Sequence, residues 1–523
     1  MNMPKLLVLG LDGASWSLLD PWINKGILPN FKRIKEEGAW GDMESCLPPV
    51  TSPNWKCYST GKNPGKLGVY WWENIDLKNR RISIPNSYSY KGREIWDYMG
   101  EKGLKTAIIN MPTTYPPKKV NGCMISGGPV CEEQGFTYSK ELEKKLKSQF
   151  NYHIHIKKDA GDLTESNPKA INEAINLINL RFRTMKYLIE KDDYDFVHLT
   201  IFLINVLQHF FWDGQPVKLA WQEIDKNLGY FLVNKNTNII LMSDHGCNKI
   251  EKEFYINNWL KKEGYLSTRT SIVDFLCGKG IHKGILSKAL EQIPFNKALK
   301  KLIPSVVKSN IPEDGGIVKK KAKAKIIDWN KTLAIASGQG PIYLNVNKDN
   351  PYYYNKLREK LILKLERLKD SNGNKVIKKA YRREEIYNGE YINEAPDIVI
   401  DQNDGFHING GIGGKGIFTK PKKWIAENKR QGLFATWGRD IKEGYQFNNI
   451  RIIDIAPTIL HYLEIPISDD MDGRVLKEIF RKNSHPCNRK ETYYSPITER
   501  YAQDNIEEQA EIRKRLRDLG YLD

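Results

Sequence analysis

Residues 5–13, Lys5-Leu6-Leu7-Val8-Leu9-Gly10-Leu11-Asp12-Gly13, decide how this chain folds. A continuous apolar run of this kind fits a strand buried on both faces, as strands of parallel sheets are. It stops at a carboxylate and a glycine. The pattern recurs further on, where Asn238-Ile239-Ile240-Leu241-Met242 runs into Ser243-Asp244-His245-Gly246. In open α/β sheets ligands bind beyond the carboxyl ends of the strands. Parallel neighbours would therefore bring both acidic strand ends to one rim.

Helices are expected between these strands. Asn167-Pro168 reads as an N-cap followed by the first helical residue. Behind it Ile171, Ala174, Ile175, Ile178, Phe182, Met185 and Ile189 form a stripe of period 3.6. Phe196 to Phe202 is strand-like, and Ala220, Trp221, Ile224, Leu228 and Phe231 mark a second amphipathic helix. The pattern returns with Ile342 to Val346 and Pro396 to Ile400, and Ile455 to Leu463 reads as a helix. Alternating strands and helices predict a three-layer α/β/α sandwich with a mostly parallel sheet.

The chain has 523 residues and a formal net charge of +18, which first suggests nucleic acid. The excess is local. Residues 271–325 hold twelve lysines against four acidic residues, and a run from Lys319 to Lys325 closes them. We read residues 267–330 as a basic insertion or cap on a core formed by 1–266 and 331–523. Residues 505–516 read as a charged helix. No nucleic-acid module is recognisable, so nucleic acid is not the expected partner. A positive cap fits a small acidic substrate drawn inward, or an anionic membrane surface touched through 267–330. No apolar run is long enough for a membrane span: Phe196 to Trp212 is broken by His198, Asn205, Gln208 and His209. The N-terminus enters a strand without the regions of a signal peptide. The seven cysteines are scattered without CxxC spacing. These features lead us to expect a reducing, cytoplasmic location.

Several residue types invite chemistry. Asp12 could hold a metal, act in catalysis or cap the next helix. Asp244 and His245 offer an oxygen and a nitrogen donor to one cation, and zinc or related metals accept that mix. Alternatively they are a turn whose His packs locally. In Pro48-Pro49-Val50-Thr51-Ser52-Pro53-Asn54-Trp55, prolines hold the backbone non-helical up to Pro53. A Thr51 hydroxyl presented there is a nucleophile if a metal lowers its pKa, or else it belongs to an ordinary loop. His209, among aromatics, reads as a core histidine or a ligand, and His407 lies in a Gly-rich loop where either role works. The Gly410–Gly416 stretch lacks both the strand context and the Lys-Ser/Thr of a nucleotide cradle.

Taken together, these segments resemble the type I phosphodiesterase/nucleotide pyrophosphatase family of the alkaline phosphatase superfamily. The matching stretches are LVLGLDGASW (7–16), GILPNFKRIKEEGAWGDMESCLPPVTSPNW (26–55), TGKNPGKLG (60–68), NMPTTYPP (110–117) and QHFFW (208–212). They continue with MSDHG (242–246), FYINNWLKKEGYL (254–266), APDIVI (395–400), DIAPTILHYL (454–463) and DMDGRVL (470–476). The resemblance implies an alkaline phosphatase-like fold and a metal-dependent hydrolase of phosphodiester, pyrophosphate or related esters. One cation, zinc or else manganese, would be held by Asp12, Thr51, Asp244 and His245, with Thr51 as the nucleophile. In the family a second cation takes an Asp and a His four residues apart, plus a later His. Here those places fall on Asn205, His209 and Asn428, so the second site is degenerate, and His407 could stand in for the later His. The family's Gly-Lys-His-Gly reads Gly65-Lys66-Leu67-Gly68. The substrate-binding Asn of the nucleotide pyrophosphatases has no match, Trp72 standing near its place, and Asn54 is taken as a substrate contact. Sulfatases are set aside because Cys46-Leu47-Pro48-Pro49-Val50 lacks their Arg. The substrate would be a small phosphorylated molecule. The alternative is a family member that binds a phosphorylated ligand or partner without efficient catalysis.

Overall fold

The computed structural model describes residues 3–78, 81–233, 235–269, 326–413, 416–495 and 515–516. The apolar runs become the centre of a ten-stranded sheet. Every residue of Leu6–Leu11 is buried. That strand pairs in parallel with Phe196–Ile201 on one side and Asn238–Met242 on the other. Thr106–Pro112 and Gly122–Gly127 extend the parallel block beyond Phe196–Ile201. On the other flank, Gln431–Trp437 runs antiparallel to Asn238–Met242 and to Ala39–Glu44.

Alternation along each strand divides the core into two layers. Leu7, Leu9 and Leu11 face one apolar cluster, formed with the helices Trp16–Asn24, Pro29–Glu37, Pro168–Lys191 and Gln215–Gly229. Leu6 and Val8 face another, formed with Thr51–Thr60, Ile95–Glu101 and Ile455–Tyr462. Helices thus cover both faces, as the three-layer reading requires. The cap expected at Asn167 is present: its side chain accepts a hydrogen bond from Ala170 N at 3.4 Å, with Pro168 in the first turn.

The strands near residues 342 and 398 depart from expectation. Pro341–Leu344 and Ile398–Gln402 leave the main sheet and join Ala334–Ala336 and Ile377–Arg382 in a separate antiparallel sheet. Gln339 and Gly340 both have positive φ, +57° and +121°, and make a tight reversal that fixes antiparallel pairing. With the helix Pro351–Glu366 this sheet builds its own apolar cluster. The long strand Gly246–Tyr255 joins the two regions. It leaves the rim at Gly246, pairs antiparallel with Ala426–Lys429, and pairs in parallel with Gly405–Asn409.

Residues 270–325, with most of the proposed basic insertion, lie outside the described residues, as does the charged C-terminal helix apart from Arg515 and Leu516. The two ends of the segment meet: Thr268 bridges Ile327, and Arg269 N donates to Ile326 O at 2.7 Å. Among the described residues no helix is long and apolar enough to cross a membrane.

Candidate active site

Asp12 follows Leu6–Leu11, and Asp244 and His245 follow Asn238–Met242, so the parallel pairing sets the three side by side. Among the described residues they form the one group of three whose ligand atoms lie within 4.8 Å of one another. All three are fully buried. His245 Nε2 lies 3.2 Å from Asp244 Oδ2 and 3.7 Å from Asp12 Oδ1. Its Nδ1 is 2.9 Å from Gly246 O, so the ring proton sits on Nδ1 and the Nε2 lone pair faces the carboxylates. Gly246 permits this packing, because a Cβ there would stand 2.0 Å from Gln431 O.

Thr51 enters from the opposite layer. It opens the helix Thr51–Thr60, whose next residue, Ser52, is non-helical (φ −104°, ψ 113°). Its Oγ1 lies 3.3 Å from His245 Nε2. Two groups hold this lip in place. Trp55 Nε1 donates to Asp12 Oδ2 at 2.9 Å. The Asn54 amide is spent on the loop: Oδ1 accepts from Cys46 N at 2.8 Å, and Nδ2 points at the carbonyls of Cys46, Pro48 and Val50. Asn54, taken from the sequence as a substrate contact, is buried and fastens the loop that carries Thr51.

The electrostatics of this cluster ask for a cation. Asp12 Oδ1 and Asp244 Oδ2 are buried without a hydrogen-bond partner at standard geometry. Burial, then the neighbouring Asp244 charge, pushes the Asp12 carboxyl well above the usual range. Burial pushes Asp244 up to about 8. The side chains of Asn205 beside Asp12 and Thr51 beside Asp244 offset this only in part. Two buried carboxylates and a neutral imidazole are a donor set that zinc, manganese or a similar divalent ion accepts. The residues therefore fit one cation.

Of the remaining candidates, Asn205 lies beside Asp12, while His209 and His407 fall outside the three-residue group. Asn205 packs over Gly13, where a Cβ would come within 2.2 Å of its Oδ1. His209 is buried, its Nδ1 donates to Ala426 O at 2.7 Å, and its ring stacks on Trp424. Asn428 is 1% exposed, and neither its Oδ1 nor its Nδ2 has a partner. His407 Nδ1 contacts Glu427 Oε2. Glu427 is fully buried, and its Oε1 accepts from Gln339 Nε2 at 2.7 Å and from Asn428 N at 2.6 Å. Burial pushes the Glu427 carboxyl up, but His407 and these donors bring it below its ordinary value. Sequence reasoning missed Glu427 because an isolated glutamate in a four-residue strand carries no motif.

Residues 6–432 match the family model of type I phosphodiesterases/nucleotide pyrophosphatases. The chain belongs to that family. Two solved structures share its fold. One is phosphonoacetate hydrolase from Sinorhizobium meliloti in complex with phosphonoformate, 13% identical over 88% of this chain and 96% of the other, with a TM-score of 0.52. The other is human ectonucleotide pyrophosphatase/phosphodiesterase 5, 14% identical over 92% of this chain and all of the other, with a TM-score of 0.51. A comparison with curated protein sequences returns no significant match. Both structural neighbours carry the alkaline phosphatase-like architecture, and this phosphodiesterase-family chain shares that fold.

Proposed function

We propose that the protein is a metal-dependent hydrolase of phosphodiester, pyrophosphate or related phosphate esters, with Thr51 as its nucleophile. The observation that carries this reading is Thr51 Oγ1 placed 3.3 Å from His245 Nε2, beside two buried carboxylates that lack a counter-charge. Asp12, Asp244 and His245 would hold one divalent ion together with Thr51. When bound, that ion lowers the pKa of the Thr51 hydroxyl and offsets charge on the ester oxygens. Thr51 is oriented by the Asn54-fastened loop and by Trp55. It lies just ahead of the regular helix that begins after Ser52, whose N-terminal dipole favours the anionic reacting group. In-line attack by Oγ1 would form a threonine phosphoester that keeps the substrate's other substituent and would release the leaving alcohol or phosphate, and water would then free the remaining phosphate ester and restore Thr51.

The test is turnover of a generic bis-aryl phosphodiester by the zinc- or manganese-loaded protein, beside Thr51→Ala. Loss of kcat on the order of 10³-fold or more, with both proteins saturated in metal, is the expected result. Thr51→Ala turning over at the wild-type rate would defeat the assignment of the nucleophile.

A second reading is favoured by Asn205 and Asn428. Neutral amides stand where the family places an Asp and a His, so the protein would bind a phosphorylated ligand or partner at this rim without efficient catalysis. A metal-loaded wild-type protein that binds a phosphate ester but leaves it intact would support this reading over the first.

A further inference from the structure

A separate cavity, holding two arginines among apolar residues, opens on the same rim, beyond Asn205. It has a volume of about 150 Å³ and is lined in part by Asn110, Gly128, His155, Arg181, Leu203 and Arg515. Asn110 lies in the strand Thr106–Pro112, Gly128 follows Gly122–Gly127, and Leu203 follows Phe196–Ile201 by two residues. These are strand carboxyl ends, as are Asp12 and Asp244. The first turn of one helix, Leu203–Phe211, serves both places: Leu203 faces the cavity, while Asn205 covers Gly13. Leu516, next to Arg515, packs with Phe202 and with Val50, the residue before Thr51.

Arg181 is only partly satisfied within the chain, by Ile154 O and Tyr152. It is 2% exposed, and its Nη2 donates to Ile154 O at 2.8 Å. Its Nε and Nη1 have no hydrogen-bond partner. The guanidinium carbon lies 4.5 Å from the centroid of the Tyr152 ring. Arg515 Nη1 donates to Cys131 O at 2.6 Å, and its Nη2 lies 3.4 Å from Glu132. Glu133, the other acidic neighbour, accepts from the backbone N–H of Ile154 and His155 at 3.0 and 2.9 Å. Neither glutamate makes a hydrogen bond to Arg181. Burying unsatisfied guanidinium donors is costly, and a planar N–H fork matches a carboxylate, phosphate or sulfate oxygen pair. At roughly 30 Å³ per water, the cavity has room for about five water molecules, enough for one such group and too small for a nucleotide.

We propose that this cavity binds a second oxyanion, gripped by Arg181 and Arg515. This deepens the hydrolase reading, on which the substrate's role depends: the substrate class becomes a phosphate ester whose far end carries a second anionic group. The same chemistry could equally hold a free phosphate or sulfate as an effector. The test titrates the full chain with sulfate by calorimetry, beside Arg515→Gln and Arg181→Gln. A sulfate affinity at least tenfold weaker in either variant is expected. Arg515→Gln keeps the test decisive if the buried Arg181→Gln fails to fold. Unchanged affinity in both variants overturns the proposal. Two aryl phosphodiesters, differing only by a carboxylate on the leaving alcohol, identify the source. A tenfold fall in the ratio of their kcat/KM in Arg515→Gln assigns the cavity to the substrate. Equal modulation of both esters by added sulfate, lost in the variant, assigns it to a free anion. If neither ester is turned over, the hydrolase reading fails while the sulfate titration still decides whether the cavity binds an anion.

Discussion

Asp12 and Asp244 face each other in the core, each with one oxygen that lacks a hydrogen-bond partner, and burial drives both carboxyls toward the protonated form. Glu427, buried as completely, contacts His407, accepts from Gln339 and Asn428 N, and is held below its ordinary pKa. The first cluster has no counter-charge of its own that would let both carboxyls ionise. The second supplies its own balance from within the chain. Burial alone would treat both alike, so the difference lies in the donors each backbone brings. The strand-end cluster gathers acceptors and a ring nitrogen, whereas the Ala426–Lys429 and Gly405–Asn409 strands flanking Gly246–Tyr255 bring a carboxylate to an imidazole. A bound cation is an economical solution for the first cluster and has little charge left to neutralise in the second.

The comparison breaks most clearly through metal content. Asp244→Asn removes a charged ligand and should lower zinc affinity by about tenfold or more, read by metal analysis after dialysis against a buffered zinc pool. Glu427→Gln should leave the count unchanged. Wild-type protein holding two tightly bound ions per chain, or Glu427→Gln losing one, would mean that the second cluster is a metal site after all. The paired substitution Asn205→Asp and Asn428→His sharpens the contrast. It returns a carboxylate and an imidazole to the amide positions and should raise the count from one ion toward two. Because Asn428 has no side-chain hydrogen bonds to lose, its replacement disturbs few contacts.

The first cluster was legible in the sequence because its parts are local. Asp12 and Asp244-His245 each close an apolar run, and parallel pairing of Leu6–Leu11 with Asn238–Met242 follows from the run itself. The Pro168 helix was legible for the same reason, through its cap and its period. The second cluster was not. His407 and Glu427 are 20 residues apart, on strands that meet only by flanking Gly246–Tyr255, one in parallel and one antiparallel. No spacing encodes that. The part Asn54 plays in fastening the loop was likewise hidden, because its contacts with Cys46, Pro48 and Val50 are a property of the loop's three-dimensional course. The antiparallel sheet near residue 342 was missed because an apolar strand of four residues does not reveal the direction of its partners.

The smallest expected effect tests whether the second cluster is a structural pair. Glu427→Gln keeps the shape but removes the carboxylate facing His407, and should cost about 1–3 kcal/mol in urea unfolding. The pH dependence carries the sign. Glu427 is held below its ordinary value of 4.5, chiefly by His407, so its contribution is present above that value and is lost as pH falls through the lower folded-state value. Wild-type and variant stabilities should therefore differ at pH 7 and converge toward pH 3. A gap that stays constant across this range would trace the loss to packing rather than charge, and the second cluster would no longer be the internally neutralised counterpart of Asp12 and Asp244.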